Sequence, residues 1–181
     1  KEKLMNVSAI SPGNSFPDDF NVIIEISANA PPMKFEIDKQ SGALALDRFL
    51  ASPMFYPVNY GFVPSTLSGD GDPCDVLLIT PYPVPPSVLV RARAIGLLDM
   101  EDDAGLDKKI IAVPIVKLCP LYKDIQKLED INDLLRQQIQ YFFEHYKDLE
   151  SDKWVKIKGW SGIKSAKEEL ENGVKNYQQH V

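Results

Sequence analysis

Prolines set the first constraint on this chain. There are 14 of them against 10 glycines in 181 residues, the reverse of average usage. Nine of them stand at Pro31-Pro32, Pro57, Pro64 and Pro73 and in the cluster from Pro81 through Pro86. Each removes a backbone donor and interrupts a helix interior, so this pattern disfavours a bundle of long helices. It divides the chain into short segments joined by rigid turns, as in a β-rich domain. With 44% hydrophobic and 25% charged residues, the chain is of globular composition and neither disordered nor fibrous. Its length predicts one domain over residues 1–181.

The order of elements reads as strands first and helices last. From Asn21 to Ser27 and from Lys34 to Asp38, β-branched and aromatic residues alternate with polar ones. Residues Asp38 to Gly42 read as a hairpin connection into a strand from Ala43 to Phe49. Cys74 to Thr80 predicts a buried strand, Val88 to Leu98 a further one, and Lys109 to Ile115 and Trp154 to Ile157 two more. Helical spacing begins after Asp130, the expected N-cap, with Ile131, Leu134, Leu135, Phe142, Tyr146 and Leu149 on one stripe. A second helix is expected near Ser165, with Glu168 completing a capping box. The expected class is mainly β with flanking helices (α+β): a small β-barrel with two C-terminal helices outside it.

Charge and rare residues narrow the chemistry. Acids outnumber bases 26 to 20, a net charge of −6, which argues against a nucleic-acid groove or an anionic membrane surface as partner. Only two His and two Cys are present, and Cys74, Cys119, His145 and His180 show no paired spacing for structural zinc. A three-His catalytic zinc site is impossible. Residues Lys1 to Val7 lack the apolar core of an export signal, and no apolar run is long enough to span a bilayer. Two distant cysteines fit reduced thiols, so a cytoplasmic location is expected.

Two acidic clusters remain. In Asp70-Gly71-Asp72-Pro73-Cys74-Asp75-Val76, three carboxylates stand on a Gly-Pro turn that enters an apolar strand. Like charges this close repel strongly unless a cation lies among them. An exposed Asp-Gly turn is the ordinary alternative, but it does not call for a third Asp at the mouth of a buried strand. An EF-hand is excluded, because its sixth and twelfth loop positions hold Asp75 and Pro81. The second cluster, Asp99 to Asp107, reads alone as a solvated loop. Brought beside the first, it makes an all-oxygen site suited to Mg²⁺ or Mn²⁺. Around them, Glu25, Lys34, Glu36, Arg48, Tyr56, Tyr60, Tyr146 and Lys147 each have a bland role in packing or surface charge. Beside a hard-metal site they describe a phosphate pocket.

The string Asp70 to Val76 resembles the signature of soluble family I inorganic pyrophosphatases of the bacterial type. So do Ile24-Glu25-Ile26, Lys34 to Asp38, Leu46-Asp47-Arg48, Met54 to Gly61, Glu101 to Gly105, Phe143 to Lys147 and Lys153-Trp154-Val155, in family order. The resemblance implies an OB-like five-stranded β-barrel and hydrolysis of pyrophosphate to two orthophosphates with several Mg²⁺ ions, for which Mn²⁺ or other divalent ions can substitute. It assigns Asp70, Asp75, Asp102, Asp107 and Glu25 to metal, and Asp72 to orienting and deprotonating the attacking water. Lys34, Arg48, Tyr146 and Lys147 would bind phosphate oxygens, with Glu36, Tyr56, Tyr60, Lys109 and Asp103 lining the pocket. Asp103 departs from the Glu common in bacterial members. The resemblance also implies a homohexamer, in which His145 would serve an interface. Two other readings use the same fold or the same carboxylates. A nucleic-acid-binding OB-fold would need basic residues interleaved with aromatics, and a structural calcium protein has no use for Lys34, Arg48 and Lys147 opposite its acids.

Overall fold

Strand β1 (Phe20–Ile26) is buried along its whole length, which explains why it carries Val, Ile and Phe with only two polar side chains. Both are satisfied: Asn21 Nδ2 donates to the Ser11 carbonyl at 3.0 Å, and Glu25 accepts from the Ile37 amide. The structure, a computed structural model, describes residues 7–180, so all but Val7 of the stretch read for an export signal lies outside it. Next come β2 (Met33–Ile37), β3 (Leu44–Phe49), β4 (Asn59–Phe62), β5 (Asp75–Leu78), β6 (Leu89–Asp102) and β7 (Gly105–Pro114). Helix α1 (Asp133–His145), β8 (Val155–Ser161) and α2 (Ile163–His180) complete the order.

The main sheet runs β1-β4-β5-β7-β6-β8, and β1 also pairs with β6. Five strands therefore form a ring, with β8 lying beside the second half of β6. All pairs in it are antiparallel except β5 with β7. Register shifts near Ile95 and between Asp99 and Met100 mark bulges, which bend a strand and raise its twist. They let the 14-residue β6 serve β1, β7 and β8 in turn. The ring-like sheet with two helices fits the expected OB-like α+β class. β2 and β3 form a separate two-stranded hairpin.

Alternation along the ring feeds two cores. Leu77, Ile111 and Val113 pack with Ile139, Phe142 and Phe143 of α1, whereas Val76, Leu78, Ile110 and Ala112 pack with Ala166 and Leu170 of α2. Burial on both faces makes β5 after Asp75, and β7 from Ile110 onward, continuous apolar runs. Each large aliphatic side chain so buried contributes about 1.5–3 kcal/mol.

Several expectations need correction. β4 carried no strand signal, since its four residues include Gly61 and follow directly on a Pro57-containing segment. The second acidic cluster is not a loop: β6 runs through Asp102, β7 starts at Gly105, and only Asp103 and Ala104 form the turn. α1 is capped by Asn132, which accepts from the Leu134 amide at 2.8 Å. Asp130 instead accepts from the Gln126 and Lys127 amides and closes a preceding 3-10 turn. α2 begins at Ile163, so Ser165 lies inside it and caps nothing. Leu134 and Leu149 are exposed, and Ile139 and Phe143 take the buried stripe. No helix among the described residues is long and apolar enough to cross a membrane. Cys74 and Cys119 are both buried free thiols.

Candidate active site

Parallel pairing of β5 with β7 builds the centre of the site. It sets Asp75 opposite Lys109, and two residues earlier on β7 comes Asp107, on the same face as Lys109. The Lys109 ammonium is buried and bridges both carboxylates, bonding Asp75 and standing 2.5 Å from Asp107. Burial opposes its charge, but the two carboxylates outweigh it and hold Lys109 protonated well above the ordinary lysine range. Tyr60 of β4 offers its ring to the ammonium at 5.3 Å, a cation–π contact.

Around this centre opens a pocket of about 310 Å³. Every site residue expected from the sequence lines it: Asp70, Asp72, Asp75, Asp102, Asp103, Asp107, Glu25, Glu36, Lys34, Arg48, Lys109, Lys147, Tyr56, Tyr60 and Tyr146. The turn before β5 brings Asp70 and Asp72, with the Asp72 amide donating to Asp70 Oδ1 at 3.0 Å. The β6–β7 hairpin brings Asp102 and Asp103, and the β2–β3 hairpin brings Lys34, Glu36 and Arg48. Tyr146 and Lys147 follow the last turn of α1, where Tyr146 stacks on Phe142 at 5.1 Å. Asp99 and Glu101 point elsewhere, to Ser161 and Lys158.

Every cation here faces a carboxylate. Lys147 stands 2.6 Å from Asp102 and 3.4 Å from Asp103. Lys34 is 2.5 Å from Glu36. Arg48 Nε lies 3.4 Å from Glu150 without hydrogen-bond geometry. Burial raises Asp70, with Asp75 and Asp107 adding to the effect. It works against Asp102 too, but there the Lys147 ammonium and the Ala104 amide prevail and hold the carboxyl below its usual range. Glu25, at the end of β1, is pushed up to about 8 by burial, with the charges of Asp75 and Glu36 adding to it.

Two lysines of the pocket were given no site role from the sequence: Lys39, 3.3 Å from Asp72, and Lys153, beyond α1. Lys39 sits in the β2–β3 turn, where no local pattern tells a solvated lysine from one folded over a carboxylate. His145 stacks on Tyr141 at 4.1 Å and lines no part of the pocket.

A small pocket rich in carboxylates, lysines and tyrosines suits a compact polyanion bound with cations. The family model for inorganic pyrophosphatase matches residues 22–178. This chain belongs to that family. The inorganic pyrophosphatase of Pseudomonas aeruginosa is 53% identical to it over 174 residues, covering 96% of this chain and 99% of that one. Among solved structures, an inorganic pyrophosphatase from Coxiella burnetii matches with a TM-score of 0.90 at 55% identity, covering 93% of this chain and 99% of that one. The inorganic pyrophosphatase of Thermus thermophilus gives a TM-score of 0.90 at 40% identity, over 96% of this chain and 99% of that one. Membership makes the chain a pyrophosphate-hydrolysing enzyme and implies a divalent-metal requirement.

The donor set fits that requirement. Among the described residues no group of three His, Cys, Asp or Glu side chains is arranged to hold an ion alone. Mg²⁺ is seldom held that way; it keeps several waters and takes one or two carboxylates with substrate phosphate oxygens. Pairs such as Asp75 with Asp107 supply that number of ligands, all of them hard oxygens.

Proposed function

We propose that this chain, as one domain over residues 1–181, hydrolyses inorganic pyrophosphate to two orthophosphates with Mg²⁺ by direct in-line attack of water. The observation that carries the mechanism is the gathering of two carboxylate clusters, on β5 and on the β6–β7 hairpin, into one pocket with Lys34, Arg48 and Lys147. Asp70, Asp75, Asp102 and Asp107 would hold Mg²⁺, with Glu25 beside them. When bound, the ions neutralise substrate oxygens and lower the pKa of water from about 16 towards neutrality. Asp72 accepts the proton of the attacking water; its side chain is 74% exposed, as a group that meets solvent must be. Lys34, Arg48, Tyr146 and Lys147 donate to phosphate oxygens, and Tyr56, Tyr60, Lys109, Glu36 and Asp103 shape the wall. Positioning and charge stabilisation suffice for phosphoryl transfer to water, so no covalent enzyme intermediate is needed. We place the enzyme in the cytoplasm, as a homohexamer.

Phosphate release from pyrophosphate tests the reading. Release should require Mg²⁺ and fall about 10²–10⁴-fold in folded Asp72→Asn, the range for removal of a general base, with a comparable loss in Asp70→Asn. Full activity of Asp72→Asn, or of wild type in the presence of a chelator, would refute it.

A further inference from the structure

Behind the pocket, on the face of the sheet turned away from it, lies a buried polar junction with no part in the chemistry described above. Glu169 of α2 is almost wholly buried, yet helices place acids in such positions only for a partner. It has two. One carboxylate oxygen accepts from Ser68 Oγ at 2.8 Å, and the other accepts from Lys108 Nζ at 2.9 Å.

Both partners border metal-binding segments. Ser68 opens the turn that carries Asp70 and Asp72: its amide donates to the Asp72 carbonyl at 2.6 Å, and its carbonyl accepts from the Gly71 amide at 3.2 Å. Lys108 lies on β7 between Asp107 and Lys109, and its side chain takes the opposite face of the strand. One carboxylate therefore joins the turn of the first acidic cluster to the strand of the second. The rest of α2 holds the same turn. The Gly173 carbonyl accepts from the Leu67 amide at 2.9 Å, and Asn176 Nδ2 donates to the Leu67 carbonyl at 3.2 Å. Gly173 is required there, since a Cβ would stand 2.4 Å from Cys74 Sγ.

We propose that Glu169 is a positioning residue that fixes the separation between the Asp70/Asp72 turn and Asp107, and so sets the affinity of the site for divalent cations. The proposal rests on those carboxylates binding metal. Groups that hydrogen-bond a metal ligand directly commonly contribute about 10- to 100-fold to metal affinity or activity; Glu169 acts one step further back, through Ser68 and Lys108, so the low end of that range applies. Glu169 touches neither substrate nor cation, so its effect should appear in cation binding before it appears in turnover.

The test is calorimetric titration of Mg²⁺ into substrate-free protein, with thermal unfolding in a chelator followed in parallel. Glu169→Ala should bind Mg²⁺ about tenfold more weakly than wild type. Glu169→Gln keeps an acceptor for Ser68 but not the charge for Lys108, and should fall between the two. A residue that merely stabilised α2 would lower the melting temperature and leave the Mg²⁺ affinity of the folded protein unchanged; that result overturns the proposal. Should Glu169→Ala not fold, Ser68→Ala, which deletes a single hydroxyl, decides: a weakening of a few-fold supports the clamp, and wild-type affinity overturns it. Wild type that binds no Mg²⁺ would instead bring down the metal reading itself, and the clamp with it.

Discussion

Glu25 shows how one buried carboxylate links folding to pH. Its oxygen accepts from the Ile37 amide at 2.8 Å, and burial pushes its pKa up to about 8 from 4.5. The fold thus favours the protonated form. Below pH 4.5 both folded and unfolded chains carry the proton, and the stabilisation is complete. As pH rises from there towards 8 the unfolded chain ionises first, so this contribution is lost progressively and is gone above the folded pKa. Denaturant unfolding in a chelator should therefore show wild type losing stability between pH 5 and pH 8, with a visibly shallower loss in Glu25→Gln. Equal slopes would refute the assignment. A wall of neighbouring residues matters as much as the carboxylate itself, and this is why the sequence could mark Glu25 as a pocket candidate but not its raised pKa.

At the scale of elements, the β6–β7 hairpin does the most for the site. Its two-residue turn puts Asp102 at the end of one strand and Asp107 near the start of the next. Gly105 holds φ +128°, a conformation that costs other residues about 1–3 kcal/mol. Gly105→Ala should lower unfolding free energy by that amount in denaturant titrations; an unchanged midpoint would show that the turn relaxes freely. The hairpin also marks where sequence reading reaches its limit. β1 and β5 were legible because their apolar residues are buried; β2 and β3, mostly half-buried or exposed, were legible from local alternation and the Asp38–Gly42 turn between them. The end of β6 was not: its charges, Asp99, Glu101 and Asp102, satisfy partners on neighbouring elements, and a run of acids has no strand period. β4 was hidden by its brevity. The pocket residues were legible as types and as family blocks, but Lys39 and the Glu169 junction depend on elements that meet only in three dimensions.

Taken whole, the molecule keeps an exposed apolar groove that its own core leaves uncovered. Met54, Phe55, Pro57, Leu134 and Tyr141 line it, and Phe55, Leu134 and Tyr141 are each more than half exposed. The stacked pair of Tyr141 and His145 stands at its edge on α1. Covering such a surface with a second copy is what the proposed homohexamer would do. Sedimentation velocity should give a single large species for wild type and a shift towards smaller ones for His145→Gln; a wild-type monomer would dismiss the assembly. The network of facing charges in the pocket carries a last consequence. Lys109 and Lys147 are each already engaged by carboxylates, so an anion arriving alone would have to strip them away and strand buried negative charge, at a cost of several kcal/mol. A cation arriving alone would meet Asp75, Asp107 and Asp102 already paired with lysines, whereas Asp70 stands in no ion pair among the described residues and is open to it. A cation seated on those paired carboxylates would release the lysines for the anion, so the two would trade partners with the protein. On the proposed site roles, cation and anion would each tighten the binding of the other by the same factor.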